Sequence, residues 1–316
     1  MENARDKTVR QGIILKGIGG FYQVWQDNAV LTCKTRGKLR QDFEEIVVGD
    51  RVEFSLINEP GADLAQGVIE RILPRKNQLV RPKAANIFGA VLVVSSVTPP
   101  PDWLMMDKML ITAAYHGLET VILINKCDLA KGTKKFALAD AIESYRRAGY
   151  AVFETSAKEG LGVDVLRSCL SGGIWVFSGA SGVGKSSLLN KLLNYSHMEE
   201  GRVSERLGRG RHTTRHAEIV PVELTPGNVS LIADTPGFSL LDLPETLEPQ
   251  QLRFYYPEFQ PETCSQVDSC RFDSCLHYRE PDCRVKQLVE AGEINRARYD
   301  RYVRLLEILK EREVKY

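Results

Sequence analysis

Three textures of apolar and polar positions follow one another along this chain. Up to about residue 75 the apolar positions come in short alternating runs, GIILKGI, FYQVW, AVLTCKT, DRVEFSLI and QGVIERIL, separated by Gly, Asp and Asn. Period-two runs broken at turn residues predict strands. Five of them in so short a span predict a small β-barrel of the OB-fold type, with an unrelated small β-domain as the alternative. From about 77 to 245 the pattern changes to near-continuous apolar strands alternating with helical stretches: GAVLVVSS (89–96), TVILIN (120–125), AVFETSA (151–157), IWVFSG (174–179) and VSLIADTPG (229–237). This is the pattern of an α/β domain with a wound sheet. PDWLMMDKMLITAAYHG reads as a crossover helix, with Pro101 near its start and Gly117 at its end. Beyond 245 come a cysteine-rich loop and a charged helical tail, EINRARYDRYVRLLEILKERE. The domains expected are therefore 1–76, 77–245 and 246–316, the last an α-helical module around a metal.

Candidate chemistry sits where these apolar strands end. After IWVFSG come Gly179, Ala180, Ser181, Gly182, Val183, Gly184, Lys185, Ser186 and Ser187, then a helical pattern. A strand, a loop of this glycine spacing and a helix N-terminus form a P-loop, whose amides converge on phosphates. Lys185 is placed for the β and γ phosphates and Ser186 for Mg²⁺. TVILIN runs into Asn125, Lys126, Cys127 and Asp128. A carboxylate at 128 offers two acceptors to guanine N1–H and the 2-amino group, donors that adenine lacks at those positions. ETSAKEG follows, where Ser156, Ala157 and Lys158 can offer a backbone donor to the guanine carbonyl. VSLIADTPG supplies Asp234, placed to hold Mg²⁺ through water, and Gly237, whose N–H would sense the γ-phosphate. In GRGRHTTRH between them, Thr214, ahead of Thr213, is the candidate to complete the magnesium shell; a solvated basic loop is the alternative.

Composition narrows the setting. The chain has 316 residues, 43% hydrophobic and 26% charged, with a formal net charge of +1. That balance gives no bulk electrostatic reason to bind nucleic acid, so any such binding falls to local patches. Arg202, Arg206, Arg209, Arg211 and Arg215 form one, and LPRKNQLVRPK another. No apolar run reaches membrane-spanning length and the N-terminus lacks a signal-peptide pattern, so a cytoplasmic protein, monomeric by default and without a membrane partner, is expected. Of seven cysteines, Cys264, Cys270, Cys275 and Cys283 crowd one stretch together with His277. Five candidate ligands for a tetrahedral ion leave one spare, with buried thiols or a disulfide as the alternatives. A small loop-rich module is expected to need such a metal in place of a core.

The order of the nucleotide motifs is unusual. The base-reading loop precedes the phosphate loop by about fifty residues, whereas ordinary GTPases have them the other way round. The order is that of a circular permutation, which preserves the spatial site when old chain ends are relinked at the surface. It also leaves the segment after Gly237 wired directly into the cysteine-rich module.

The permuted motifs, the preceding barrel and the following Cys/His module together resemble the RsgA (YjeQ/YloQ) family of bacterial ribosome-assembly GTPases over nearly the whole chain. The resemblance implies a GTPase that binds GTP/GDP with Mg²⁺ and acts on the small (30S) ribosomal subunit and its rRNA late in maturation, stimulated by that subunit. It implies one structural Zn²⁺ per chain on Cys270, Cys275, His277 and Cys283, with Cys264 outside the set. It also favours RNA contact by the basic patches. Where a Ras-like GTPase has a water-orienting glutamine after the Asp-x-x-Gly motif, this chain has Phe238, and the resemblance points to His212 as the catalytic group. Two rivals stand against this reading: an RNA-binding scaffold controlled by GTP with incidental hydrolysis, and a P-loop kinase or ATPase. Asp128 disfavours the second.

Overall fold

The computed structural model describes residues 9–35, 45–57, 66–80, 83–130, 132–196, 218–225, 227–234, 242–260 and 270–313. His212, Thr213, Thr214, Gly237, Phe238, Cys264 and the arginines from Arg202 to Arg215 lie outside them. The chain divides into two compact units. One holds Met1–Gly89, Asp164–Phe177 and Leu189–Ser239; the other holds Ala90–Val163, Ser178–Leu188 and Leu240–Tyr316.

The first unit opens with a closed five-stranded barrel, an OB-like fold, in the order β1-β2-β3-β5-β4. Its strands are β1 (Arg10–Ile18), β2 (Phe21–Gln26), β3 (Ala29–Thr35), β4 (Arg51–Ile57) and β5 (Gln66–Ile72). Two-residue turns join the first three strands, Gly19-Gly20 and Asp27-Asn28, all four with positive φ. Such turns carry the twist of tightly paired antiparallel strands, and Gly, Asn and Asp tolerate the left-handed backbone best. The parallel pairing of β3 with β5 closes the barrel around Ile14, Val24, Cys33, Val52, Phe54 and Ile69. A short hairpin, β6 (Gln78–Val80) with β7 (Lys83–Ala85), follows. The same unit contains β11 (Ile174–Ser178) up to Phe177, parallel to β13 (Asn228–Asp234), with β12 (Glu218–Thr225) antiparallel on the outside. Strand β12 has no counterpart among the elements expected from the pattern. Pro221 and the charges at Glu218 and Glu223 mask it, which suits an edge strand, where a missing N–H breaks no ladder. Lys16 of β1 pairs with Glu218 at the start of β12, 2.6 Å apart.

In the second unit, β8 (Gly89–Ser95), β9 (Glu119–Asn125) and β10 (Ala151–Glu154) lie in the order β10-β9-β8, with β9 and β10 parallel. Every residue of β8 is buried, as expected of a strand covered on both faces. Helices α1 (Trp103–Tyr115) and α2 (Thr133–Arg147) are the crossovers. Asp102 caps α1 by accepting from the Met105 N–H at 2.9 Å, and Gly117 leaves it with φ of 66°. Helix α3 (Val163–Cys169), in the first unit from Asp164 on, precedes β11, and α4 (Lys185–Ser196), in the second unit as far as Leu188, follows it.

The C-terminal part of this unit contains two 3₁₀ helices (Pro249–Tyr255 and Pro257–Phe259), α5 (Arg284–Glu290) and α6 (Arg296–Glu313). It has an apolar core, shared with α1: Leu252, Tyr256, Phe259, Val285, Leu288, Tyr302, Leu305 and Leu306 are all buried and pack with Ile111 of α1. The expectation of a loop-rich module held by metal in place of a core is therefore corrected. An ion network reinforces the packing. Asp107 of α1, 1% exposed, accepts from Arg298 Nη1 and Arg301 Nε of α6, each at 2.6 Å, and from the Tyr145 hydroxyl at 2.7 Å. Arg298 also pairs with Glu258. Thr112 donates to the Asp242 carbonyl at 2.9 Å, fixing the segment that leads into the module to the same helix. Among the described residues no helix is long and apolar enough to cross a membrane.

Candidate nucleotide and metal sites

The loop after β11 follows a path open to glycine alone at two points. Gly179 has φ of 148°, and a Cβ there would lie 2.1 Å from the Val93 carbonyl oxygen. Gly184 has φ of 100°, and a Cβ there would lie 2.2 Å from Asn125 Nδ2. Between them run Ala180, Ser181, Gly182 and Val183, with Val183 buried beneath the loop and Ser181 exposed. Helix α4 begins at Lys185, so its unpaired first amides and positive dipole end favour an anion at this loop. Lys185 Nζ donates to the carbonyls of Gly179 at 2.7 Å and Ala180 at 2.8 Å, and burial pushes its pKa down. Ser186 and Ser187 are exposed at the helix start.

Asn125, at the end of β9, ties this loop to two others. Its side chain is 1% exposed; Nδ2 donates to the Val183 carbonyl at 2.9 Å, and Oδ1 accepts from Thr155 Oγ1 at 3.3 Å and from the Ala157 N–H at 3.1 Å. The Ala157 amide, a candidate donor to a base carbonyl, is thus directed at Asn125. Lys126 adopts the left-handed conformation, and its ammonium donates to the Thr98 carbonyl at 2.6 Å and the Gly182 carbonyl at 2.7 Å. A 3₁₀ turn, Cys127–Leu129, then carries Asp128, half-exposed. Burial first, then the Glu154 and Asp128 carboxylates, push the Cys127 thiol up, which makes it a neutral group and a poor nucleophile. Ser156 is buried and its hydroxyl accepts from the Glu159 N–H at 3.2 Å, while Lys158 is exposed. Asp234 ends β13 in register with Glu218. Nothing in the sequence pattern marked Ser95, Ser96 or Thr98, although they border this loop cluster.

The chain matches the RsgA GTPase family over residues 72–244 and the RsgA N-terminal domain over residues 11–62. It belongs to the RsgA GTPase family. A small ribosomal subunit biogenesis GTPase RsgA from Ruminiclostridium cellulolyticum is 44% identical over 305 residues, covering 95% of this chain and 94% of its own. Another, from a Geobacillus species, is 41% identical over 306 residues, covering 97% and 99%. Among solved structures, the crystal structure of YjeQ from Thermotoga maritima matches with a TM-score of 0.78 at 35% identity, covering 96% of this chain and 99% of its own. YloQ, a circularly permuted GTPase, matches with a TM-score of 0.78 at 32% identity, covering 97% and 96%. The chain is thus a circularly permuted, GTP-hydrolysing enzyme, and its motif order follows from that permutation.

The Cys/His residues of the C-terminal module come together as a cluster. The ligand atoms of Cys270, Cys275, His277 and Cys283 all lie within 4.8 Å of one another. His277 Nδ1 is 3.6 Å from Cys270 Sγ and 3.5 Å from Cys283 Sγ, and those two sulfurs are 3.9 Å apart. Bonds of about 2.0–2.3 Å to a tetrahedral Zn²⁺ give ligand–ligand edges of roughly 3.3–3.8 Å, so the donor set fits such an ion. Helix α6 holds the loop from behind: Tyr299 donates to the His277 carbonyl at 2.7 Å and Tyr302 to the Leu276 carbonyl at 2.6 Å. Burial pushes the Cys283 thiol up to about 12, and it holds the His277 imidazole down at about 4. The Cys275 thiol is raised by burial first of all, with the neighbouring Cys270 and the Glu280 carboxylate adding to it. The imidazole is therefore in its neutral, ligating form, and the buried thiols need a cation beside them to ionise. Four protein ligands leave no open position for water, so an ion here is structural.

Proposed function

We propose that this chain hydrolyses GTP to GDP and phosphate on the small ribosomal subunit, late in the maturation of that subunit and under its stimulation. The observation that carries the nucleotide part is the Asn125 knot, which joins the base-reading, Ser156–Lys158 and phosphate loops through one buried side chain. The ribosomal part rests on relatives named for small-subunit biogenesis that align over nearly the whole chain. In this reading the barrel (1–76) and the basic segments face rRNA, residues 77–245 form the GTPase domain, and 246–316 form the zinc module. The protein works as a monomer in the cytoplasm, where subunits are assembled.

The roles follow the motifs. Asp128 reads guanine, with Asn125, Lys126 and Cys127 shaping its loop and Ser156, Ala157 and Lys158 closing over the base. The amides of Gly179 to Ser187 cradle the phosphates, and Lys185 leaves its loop carbonyls to meet the β and γ oxygens. Ser186 and Thr214 would hold Mg²⁺, with Asp234 beside them, and the ion would supply positive charge to the phosphate oxygens. Gly237 senses the γ-phosphate and His212 orients the attacking water. One structural Zn²⁺ sits on Cys270, Cys275, His277 and Cys283.

The deciding measurement is GTP turnover alone, with purified small subunits and with purified large subunits. Small subunits are expected to raise the rate and large subunits to leave it unchanged; equal stimulation by both, or by neither, would sink the ribosomal assignment. Base choice has a separate test. Asp128→Asn replaces an acceptor with a donor, which mismatches the 2-amino group of guanine and suits the 2-oxo group of xanthine. An unpaired buried polar group is worth roughly 1–3 kcal/mol, so GTP affinity is expected to fall about tenfold or more while XTP affinity rises. Equilibrium titration with both nucleotides checks this, and unchanged GTP binding would remove Asp128 from the site.

A further inference from the structure

We infer that Ser96 is a positioning residue for guanine recognition, acting through the peptide that leads into Asp128. Lys126 is left-handed, with φ of 63° and ψ of 34°. A residue with a Cβ adopts that conformation at a cost of roughly 1–2 kcal/mol, so the surroundings must hold it there. They do so from both sides of the next peptide plane. On one side Ser96, 5% exposed, donates from Oγ to the Lys126 carbonyl at 2.6 Å, and that oxygen also accepts from the Leu129 N–H at 3.0 Å. On the other side the Cys127 N–H donates to the Thr155 carbonyl at 3.1 Å. The Ser96 N–H donates to the Asn125 carbonyl at 2.8 Å, so one residue grips two consecutive carbonyls of the base loop.

The segment around Ser96 is itself shaped for this. The fully buried Ser95 hydroxyl donates to the Thr98 carbonyl at 2.8 Å and accepts from the Thr98 N–H at 3.0 Å. That turn presents the Thr98 carbonyl to the Lys126 ammonium. Residues 95–98 thus form a socket for both the backbone and the side chain of Lys126, though no nucleotide motif includes them. Ser96 would touch no part of the nucleotide; it sets where the Asp128 carboxylate stands.

This inference rests on the guanine-reading role proposed for Asp128, so the experiment runs Ser96→Ala and Asp128→Asn in parallel. GTP and ITP are titrated against each, since ITP lacks the 2-amino group and uses one fewer bond to Asp128. Losing one hydrogen bond of this kind is worth a factor of about three to ten, so Ser96→Ala is expected to raise the GTP Kd by that much. The ITP Kd should rise less, narrowing the preference for GTP. KM should rise with the rate at saturating GTP unchanged, and Ser96→Thr, which keeps the hydroxyl, should restore wild-type binding. Wild-type GTP affinity in Ser96→Ala, or equal weakening of GTP and ITP, would overturn the inference while leaving the Asp128 assignment intact. Indifference of Asp128→Asn to base identity would sink the underlying reading instead. If the alanine variant does not unfold cooperatively, Ser96→Cys, with a weak donor in nearly the same volume, carries the same comparison.

Discussion

Gly184→Ala is expected to lower GTP affinity by about two to three orders of magnitude, through strain and displacement together. At φ of 100° an L side chain is strained wherever it points, and here its Cβ would lie 2.2 Å from Asn125 Nδ2. Asn125 has nowhere easy to go, because Val183, Thr155 and Ala157 all hold its amide. Left-handed strain of roughly 1–2 kcal/mol adds to the disruption of buried hydrogen bonds at roughly 1–3 kcal/mol. These add to about 2–5 kcal/mol, and the middle of that range corresponds to a factor of about 10²–10³ in Kd. Calorimetric titration with GDP and GTP measures the loss, and a Kd within threefold of wild type would show that the loop reshapes freely around the methyl group. Gly182→Ala is the control, since a Cβ there meets only Pro99 Cδ, at 3.8 Å, so that its positive φ is the sole burden.

Cys275→Ser is expected to take the metal content from about one Zn²⁺ per chain to none, with Cys264→Ala retaining it. Structural zinc contributes on the order of 10 kcal/mol in small zinc modules, more than a cavity or a lost hydrogen bond. What unfolds should be local. The loop from Cys270 to Cys283 loses its centre, and with it the bonds from Tyr299 and Tyr302 to the carbonyls of His277 and Leu276. Helices α5 and α6 keep the apolar core around Leu288, Tyr302 and Leu306, so most of the helical signal should survive. Elemental analysis, circular dichroism and GTP titration on the same sample separate these effects. Zinc retained by Cys275→Ser and lost by Cys264→Ala would reassign the ligands. Loss of nucleotide binding together with zinc would show that the two sites are not independent.

The parts of this protein legible in its sequence are those written locally. The glycine-rich loop after β11, the loop after β9 and the Cys/His cluster each place their residues within about twenty consecutive positions, at spacings the backbone must satisfy. Strands β8 and β9 were legible for the same reason, as apolar runs ending in turns. What remained hidden depends on distance along the chain. Asp107 and Arg298 are 191 positions apart, and nothing in either neighbourhood announces the other. Ser96 reads as one more polar residue after a strand until the fold sets it against Lys126, 30 positions on. Strand β12 was hidden by Pro221, whose effect on a ladder depends on whether its strand is an edge.

The buried carboxylate of α1 also bears on how such a chain can change over generations. Asp107 is fully enclosed, and two of its three side-chain partners, Arg298 and Arg301, come from α6. Removing one partner of a buried pair destabilises by roughly 3–5 kcal/mol, because the charge left behind has no water to turn to. A lineage that lost α6 would have to neutralise position 107 first, and one that altered position 107 first would leave Arg301 without its carboxylate and Arg298 with Glu258 alone. Neither step is favourable alone, so this pairing works as an evolutionary ratchet: α6, once docked, is held by a residue of α1 that the same unit can no longer shed without loss.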